Sequence, residues 1–222
     1  MLHETWQLHL HAGHDAAACA AALQPALAAL PGLARQHLGV NLPGCWGSGA
    51  LTLDLHWHDA AHAAQAQVLL AARPEVARVD RVPYRRVDGG CRAPGLSQGI
   101  WRTLLLRVRP GTPTATVTQL EQDLLRMPQY ITGIRNWQLG RATEGDHWTH
   151  VWQQEFAQLD DLHGEYLTHP YHWAWVDRWF DPEHPDWIVE AIAHVFCPLS
   201  ASLLSPPSIS SPSLSQPVQE IA

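Results

Sequence analysis

Apolar and polar residues alternate over Trp6-Gln7-Leu8-His9-Leu10-His11, the period-two pattern of a half-buried strand. Gly13-His14-Asp15 ends it, and Asp15 has the side chain of a helix cap. Cys19, Leu23, Leu27 and Leu30 then recur at helical spacing, with Pro25 expected to kink or split the run. Leu33–Val40 reads as a second strand and residues 51–56 as a third, joined by the loop 43–49. Asp59 caps an Ala-rich helix that ends near Ala72. Residues 79–85 make a fourth strand, placed at a sheet edge because Pro83 cannot donate to a ladder.

The same order then returns. Residues 101–109 read as a strand, and Thr112-Pro113 opens a helix with Val117, Leu120, Leu124 and Met127 on its apolar face. Strands follow over 131–139 and 148–156, then two short helices, then a last strand over 188–196. The strands opening at Trp6 and Trp101 lie 95 residues apart, and the interrupting prolines Pro74 and Pro170 lie 96 apart. A period of domain size signals duplication. Each half carries the order β-α-β-β-α-β, so the fold class is α+β: two tandem ferredoxin-like domains whose bare sheet faces meet in an intrachain dimeric α/β-barrel. The expected boundaries are 1–87 for the first domain, 88–97 for a Gly-rich linker, 98–198 for the second, and 199–222 for a disordered Ser/Pro-rich tail without catalytic content.

Composition narrows the function classes. The formal charge is −7 and 16% of residues are charged, with no basic run, which argues against nucleic acid as a partner. No apolar run approaches a membrane span, and the start of the chain lacks a signal peptide's basic residues. The four cysteines are scattered and read as reduced thiols of a cytoplasmic protein. Histidines pair on strands (His9 with His11, His56 with His58, and His62 a helical step on), yet no accompanying H-E-x-x-H or Cys pair calls for a metal. No Gly-rich phosphate loop or G-x-S-x-G is present, and no cofactor is expected.

The densest chemistry lies in Glu165-Tyr166-Leu167-Thr168-His169-Pro170-Tyr171-His172. Pro170 fits the first position of a helix, which puts His169 near the cap and His172 in the first turn. Trp175, Val176 and Trp179 follow His172 at helical spacing, and Tyr166 follows Leu159 and Leu162, so an imidazole and a phenol aim at one interior region. The same rings would be purely architectural if they only cap a helix and fill a core.

The second half, from Trp101 to Pro198, resembles the stress-responsive dimeric α/β-barrel (Dabb) family in its Y-x-x-H-P-x-H string and in Trp148-Thr149-His150-Val151 entering a strand. The first half looks like a degenerate copy, with Arg73-Pro74-Glu75-Val76 where the histidines would stand. The family includes polyketide cyclases working by aldol chemistry, a hydroxynitrile lyase and stress-induced proteins. Resemblance to an olivetolic-acid-type cyclase implies Tyr166 and His172 as catalytic residues and His150 as a third pocket member. Thr103 stands where that enzyme has a strand histidine, and Val195 where it has an acid.

Cofactor-free aldol or retro-aldol chemistry needs a base for a carbon-bound proton and a donor for the enolate oxygen, roles that suit a neutral His172 and the Tyr166 phenol. His172 in a first helical turn, against indoles, is expected to stay neutral. His169, Trp148, Trp152, Trp175 and Trp179 would build an aromatic wall for a small apolar or polyketide-like ligand. The reading is a ligand-binding barrel with a cyclase or lyase site in its second domain, further self-association being left open. The alternatives are a stress-response or binding protein without turnover, and a cofactor-free monooxygenase-like barrel.

Overall fold

The computed structural model describes residues 2–144 and 147–205. The first half runs β1 (Leu2–Leu10), α1 (Ala16–Ala28), β2 (Leu33–Val40), β3 (Leu51–Trp57), α2 (Ala63–Ala71) and β4 (Val76–Cys91). The second runs β5 (Ser97–Val108), α3 (Thr114–Tyr130), β6 (Ile134–Ala142), β7 (His150–Phe156), a helical stretch holding two π-turns (Asp161–Tyr166 and His172–Val176), and β8 (Val189–Ala201).

All eight strands lie in one sheet ordered β2-β3-β1-β4-β6-β7-β5-β8, with every resolved pairing antiparallel. Each half thus has the ferredoxin-like order second-third-first-fourth, and the two are joined by the β4–β6 ladder. The opposite seam closes where the chain after β2 meets β8, through Leu42 N–H to Phe196 O (3.0 Å) and the paired Trp46–His194 backbone bonds. The result is the barrel expected of the α+β tandem, with helices outside.

β4 is not an edge strand. Its first part pairs with β1 and its second with β6, and Pro83 sits at the changeover, where its carbonyl accepts from Thr143 N–H at 2.9 Å. The Gly-rich linker is also corrected: residues 88–91 are ladder, and the connection to β5 is residues 92–96. The glycines are there for contact. A Cβ on Gly90 would fall 2.2 Å from the Trp137 ring. Likewise, 199–201 extend β8, and Glu155 holds 202–204 by accepting from Ser202 Oγ (2.6 Å), Leu203 N–H (2.6 Å) and Leu204 N–H (3.0 Å). The rest of the expected tail lies outside the described residues. α1 runs through Pro25 and ends one turn later.

Packing divides by sheet face, as period-two strands require. On the outer face, Trp6, Leu8, Leu53 and Trp57 pack with Leu23, Leu27 and Leu70 of the first half's helices. In the second half Leu104, Leu106, Trp152 and Phe156 pack with Leu120, Leu124, Tyr166 and Val176. The barrel interior is more polar, carrying Gln7, Thr52, Asp54, Tyr84, Gln138 and Gln153. Asp54 accepts from Gln153 Nε2 at 2.9 Å, and Tyr84 Oη donates to Gln153 Oε1 at 3.1 Å.

Candidate functional site

The helical chain breaks at His169 and resumes at Pro170, which has no N–H to leave unsatisfied. His169 Nδ1 accepts from Tyr171 N–H at 3.1 Å, so His169 acts as a local cap. On either side the backbone is wound as π-turns, a widening that recurs at functional sites. The winding sets which rings turn inward. His172 shares its direction with Val176 and Asp177, four and five residues on, while Trp175 at three residues swings outward and is 49% exposed.

Between this stretch and the outer face of β5 and β8 lies a pocket of about 310 Å³. Tyr166 and His172 form one wall, with ring centroids 4.8 Å apart and meeting edge to face. Leu104, Leu124, Val176, Phe180 and Ile192 supply the apolar surface. Asp177 Oδ1 lies 3.1 Å from His172 Nδ1, out of line for a good hydrogen bond.

The floor carries Arg102, 4% exposed on β5. Its guanidinium carbon lies 4.9 Å from the Tyr166 ring centroid, and its Nη1 donates to Gln154 Oε1 at 2.5 Å. Among the described residues no carboxylate pairs with it, and its Nε has no partner. Burying an unpaired cation costs several kcal/mol, so this is an expensive group to leave facing a hollow. Its effect on the neighbours is visible. Burial raises the Tyr166 phenol pKa; Arg102 draws it back only in part, and Asp177 raises it again, which keeps the phenol protonated and able to donate at neutral pH. His194, beside Arg102 on the pocket wall, is held neutral. Burial, then the charges of Arg102, His163 and His172, push its pKa down to about 3, and its buried Nε2 has no partner among the described residues.

A protein-family model matches residues 100–190 and describes the stress responsive A/B barrel domain. Residues 100–190 form a stress responsive A/B barrel (Dabb) domain. No curated protein matches the sequence. Among solved structures, an anthrone oxidase-like protein aligns over 89% of this chain and 90% of its own at a TM-score of 0.65 and 10% identity. Chlorite dismutase from Candidatus Nitrospira defluvii aligns over 90% and 91% at 0.57, also with 10% identity. At these identities the likeness is one of fold.

The Dabb domain does not gather every residue singled out in the sequence. His150 stands four residues along β7 from Gln154, in a different cleft. There its Nε2 lies 3.1 Å from Glu121 Oε1, which also accepts from Arg141 at 2.5 Å. Trp148 lines that cleft as well. Trp152 is buried against the core beside Tyr166. Trp179 donates to Asp123 at 3.0 Å, and Trp175 lies near-parallel to Tyr171. The aromatic wall is therefore smaller than its indole count suggests. Its one exposed tryptophan, Trp46 at 62%, comes from the first half. Of the histidines weighed for metal, His9 pairs with Asp80 at 3.0 Å and His56 with Asp54 at 2.8 Å. Among the described residues no group of three or more metal-ligand side chains forms.

The Dabb pocket also contains what the sequence reading missed: Arg102, His194, Asp177 and Trp46. Thr103 and Val195, aligned with the cyclase's residues, are cross-strand partners facing the barrel interior, whereas Arg102 and His194, one position away, face the pocket. A one-residue slip turns every strand side chain to the other face. A lone arginine inside Trp101-Arg102-Thr103-Leu104-Leu105-Leu106 was the available signal.

Proposed function

We propose that the Dabb domain binds a small, largely apolar molecule ending in a carboxylate or thioester carbonyl, and that it acts on it as a cofactor-free cyclase or lyase of polyketide-like β-carbonyl compounds. The observation carrying this is Arg102: a buried guanidinium, without a carboxylate among the described residues, opening into an apolar pocket beside a phenol and an imidazole. A ligand's oxyanion supplies the missing partner, and the apolar lining takes its carbon chain.

In this reading Arg102 orients the acid end. The negative charge of Asp177, 3.1 Å from His172 Nδ1 though not hydrogen-bonded to it, favours the proton on that nitrogen, leaving Nε2 as base. Nε2 removes a proton from a carbon between two carbonyls, and Tyr166 Oη donates to the oxygen that takes up the charge. The carbanion attacks a ketone carbon within the same chain, a C–C bond forms, and the new alkoxide recovers the proton from the imidazolium. Run backwards, the same steps cleave a β-hydroxy carbonyl. No electrons leave or enter.

The test is turnover of β-keto acids and their thioesters by the full chain, with Arg102→Gln and His172→Ala beside it. Loss of binding in the first and loss of turnover with retained binding in the second are expected; equal activity of His172→Ala would remove the assignment. Binding without turnover in the unaltered chain is the rival reading, and the placement of His150 outside the pocket favours it.

A further inference from the structure

A second cavity, of about 570 Å³, opens at the end of the barrel where β1 begins. It is built by both halves: His3, Arg35, His56 and His58 from the first, Gln138 and residues 203–205 from the second, with Arg86 on the β4 stretch between them. It shares no residue with the Tyr166–His172 pocket.

Its chemistry is one-sided. Two guanidinium groups and three imidazoles line it and, among the described residues, no carboxylate does, in a chain whose formal charge is −7. Among the described residues neither Arg35 nor Arg86 is in an ion pair. Arg35 Nη1 donates instead to the carbonyls of Leu203 (2.8 Å) and Ser205 (2.5 Å), so its position is fixed while its charge stays uncompensated. The imidazoles are equally placed. His3 meets the His56 ring edge to face at 4.2 Å, and His56 Nε2 is anchored by Asp54 Oδ2 at 2.8 Å. Asp54 lies behind them in the barrel, tied to Gln153, where a ligand in the mouth would not meet it. Among the described residues His3 Nδ1 has no partner, and it is shut off from solvent. A polar atom buried without a partner costs about 1–3 kcal/mol, and two unpaired cations at one mouth repel each other.

We propose that this mouth is a second ligand site, independent of the first pocket, which takes a small oxyanion-bearing molecule: a carboxylate or a phosphate ester. Arg35 and Arg86 grip the oxyanion from two sides, the His3 and His56 rings lie beside it, and the Gln138 amide and the apolar edges of Leu203 and Leu204 bound the remainder. The site exists only because the halves are joined, since neither alone supplies both Arg35 and Gln138.

The full-length chain, at low ionic strength, is titrated with inorganic phosphate and separately with succinate, following the ring resonances of His3 and His56 by NMR. Saturable shifts at both rings are expected, with His194 reporting separately on the other pocket. Arg86 is a solvent-exposed side chain, so Arg86→Gln should melt as the parent does while weakening the anion about tenfold. Saturation by phosphate alone assigns the phosphate class, and by succinate alone the carboxylate class. Unmoved His3 and His56 rings with both anions, or an Arg86→Gln chain binding as tightly as the parent, would overturn the proposal.

Discussion

Trp46 and His194 exchange both backbone hydrogen bonds at 2.8 Å, joining the loop after β2 of the first half to β8 of the second. The bridge is main chain, so it survives changes to either side chain. It also sets the Trp46 indole over a pocket whose other residues all come from the second half. Trp46→Ala should therefore leave the melting temperature nearly unchanged and weaken ligand binding about tenfold, as loss of a large apolar contact requires. Calorimetric titration of both proteins checks this.

Tyr166→Phe keeps the ring that packs edge to face on Phe156 and His172 and removes only the donor. Turnover should fall about 10²–10³-fold with affinity little changed, the signature of a bond made chiefly in the transition state. Steady-state and single-turnover rates separate the two quantities; a drop in affinity alone would make Tyr166 a binding residue.

The Glu121 cluster gives a pH prediction remote from the pocket. Burial pushes its carboxyl pKa up, but hydrogen bonds and charges from His150 and Arg141 outweigh burial and hold it at about 2, below the ordinary 4.5. A carboxyl depressed in the folded state stabilises fully above its unfolded pKa. That contribution is lost as pH falls from about 4.5 towards 2, and it amounts to about 3 kcal/mol at most. Urea melts between pH 2 and 6 should show the loss, and Glu121→Gln should flatten it.

Gly90→Val tests the continuity of β4. The added side chain would collide with the Trp137 ring, and destabilisation by about 2 kcal/mol or more is expected. Substitution at Gly95, where a Cβ meets nothing within 4 Å, should be nearly silent. Denaturant melts of the pair distinguish ladder from linker.

His194 should remain neutral well below the ordinary histidine range, because Arg102 shares its burial. Ring-nitrogen NMR between pH 4 and 8 reads this directly. In Arg102→Gln the imidazole should titrate at higher pH.

The two-fold plan of the fold was legible because repeated strand-helix order and proline spacing are local signals that survive duplication. The residues around Pro170 were legible for the same reason: a proline dictates a boundary. Trp175 was misplaced because α-spacing was assumed where the chain is wound as π, and nothing in Trp173-Ala174-Trp175-Val176 marks the difference. Asp88-Gly89-Gly90 was read as a linker because glycine's usual meaning is a turn; here it makes room for an indole on the paired strand β6. Arg102 and His194 were passed over because strand alignment to a family is accurate to a residue or two, while the face a side chain takes depends on single steps.

Counting from the ladder ends, where Leu2 pairs with Trp57 and Ile100 with Phe156, Glu4 occupies in the first half the place of Arg102 in the second. Glu4 is saturated: Trp57 Nε1 donates to it at 2.8 Å and Arg81 Nε at 2.7 Å. One polypeptide thus bears opposite charges at matched points of its two repeats, an inequality no assembly of identical copies could maintain. In a single chain the cost of an unsatisfied cation is carried once per molecule instead of twice.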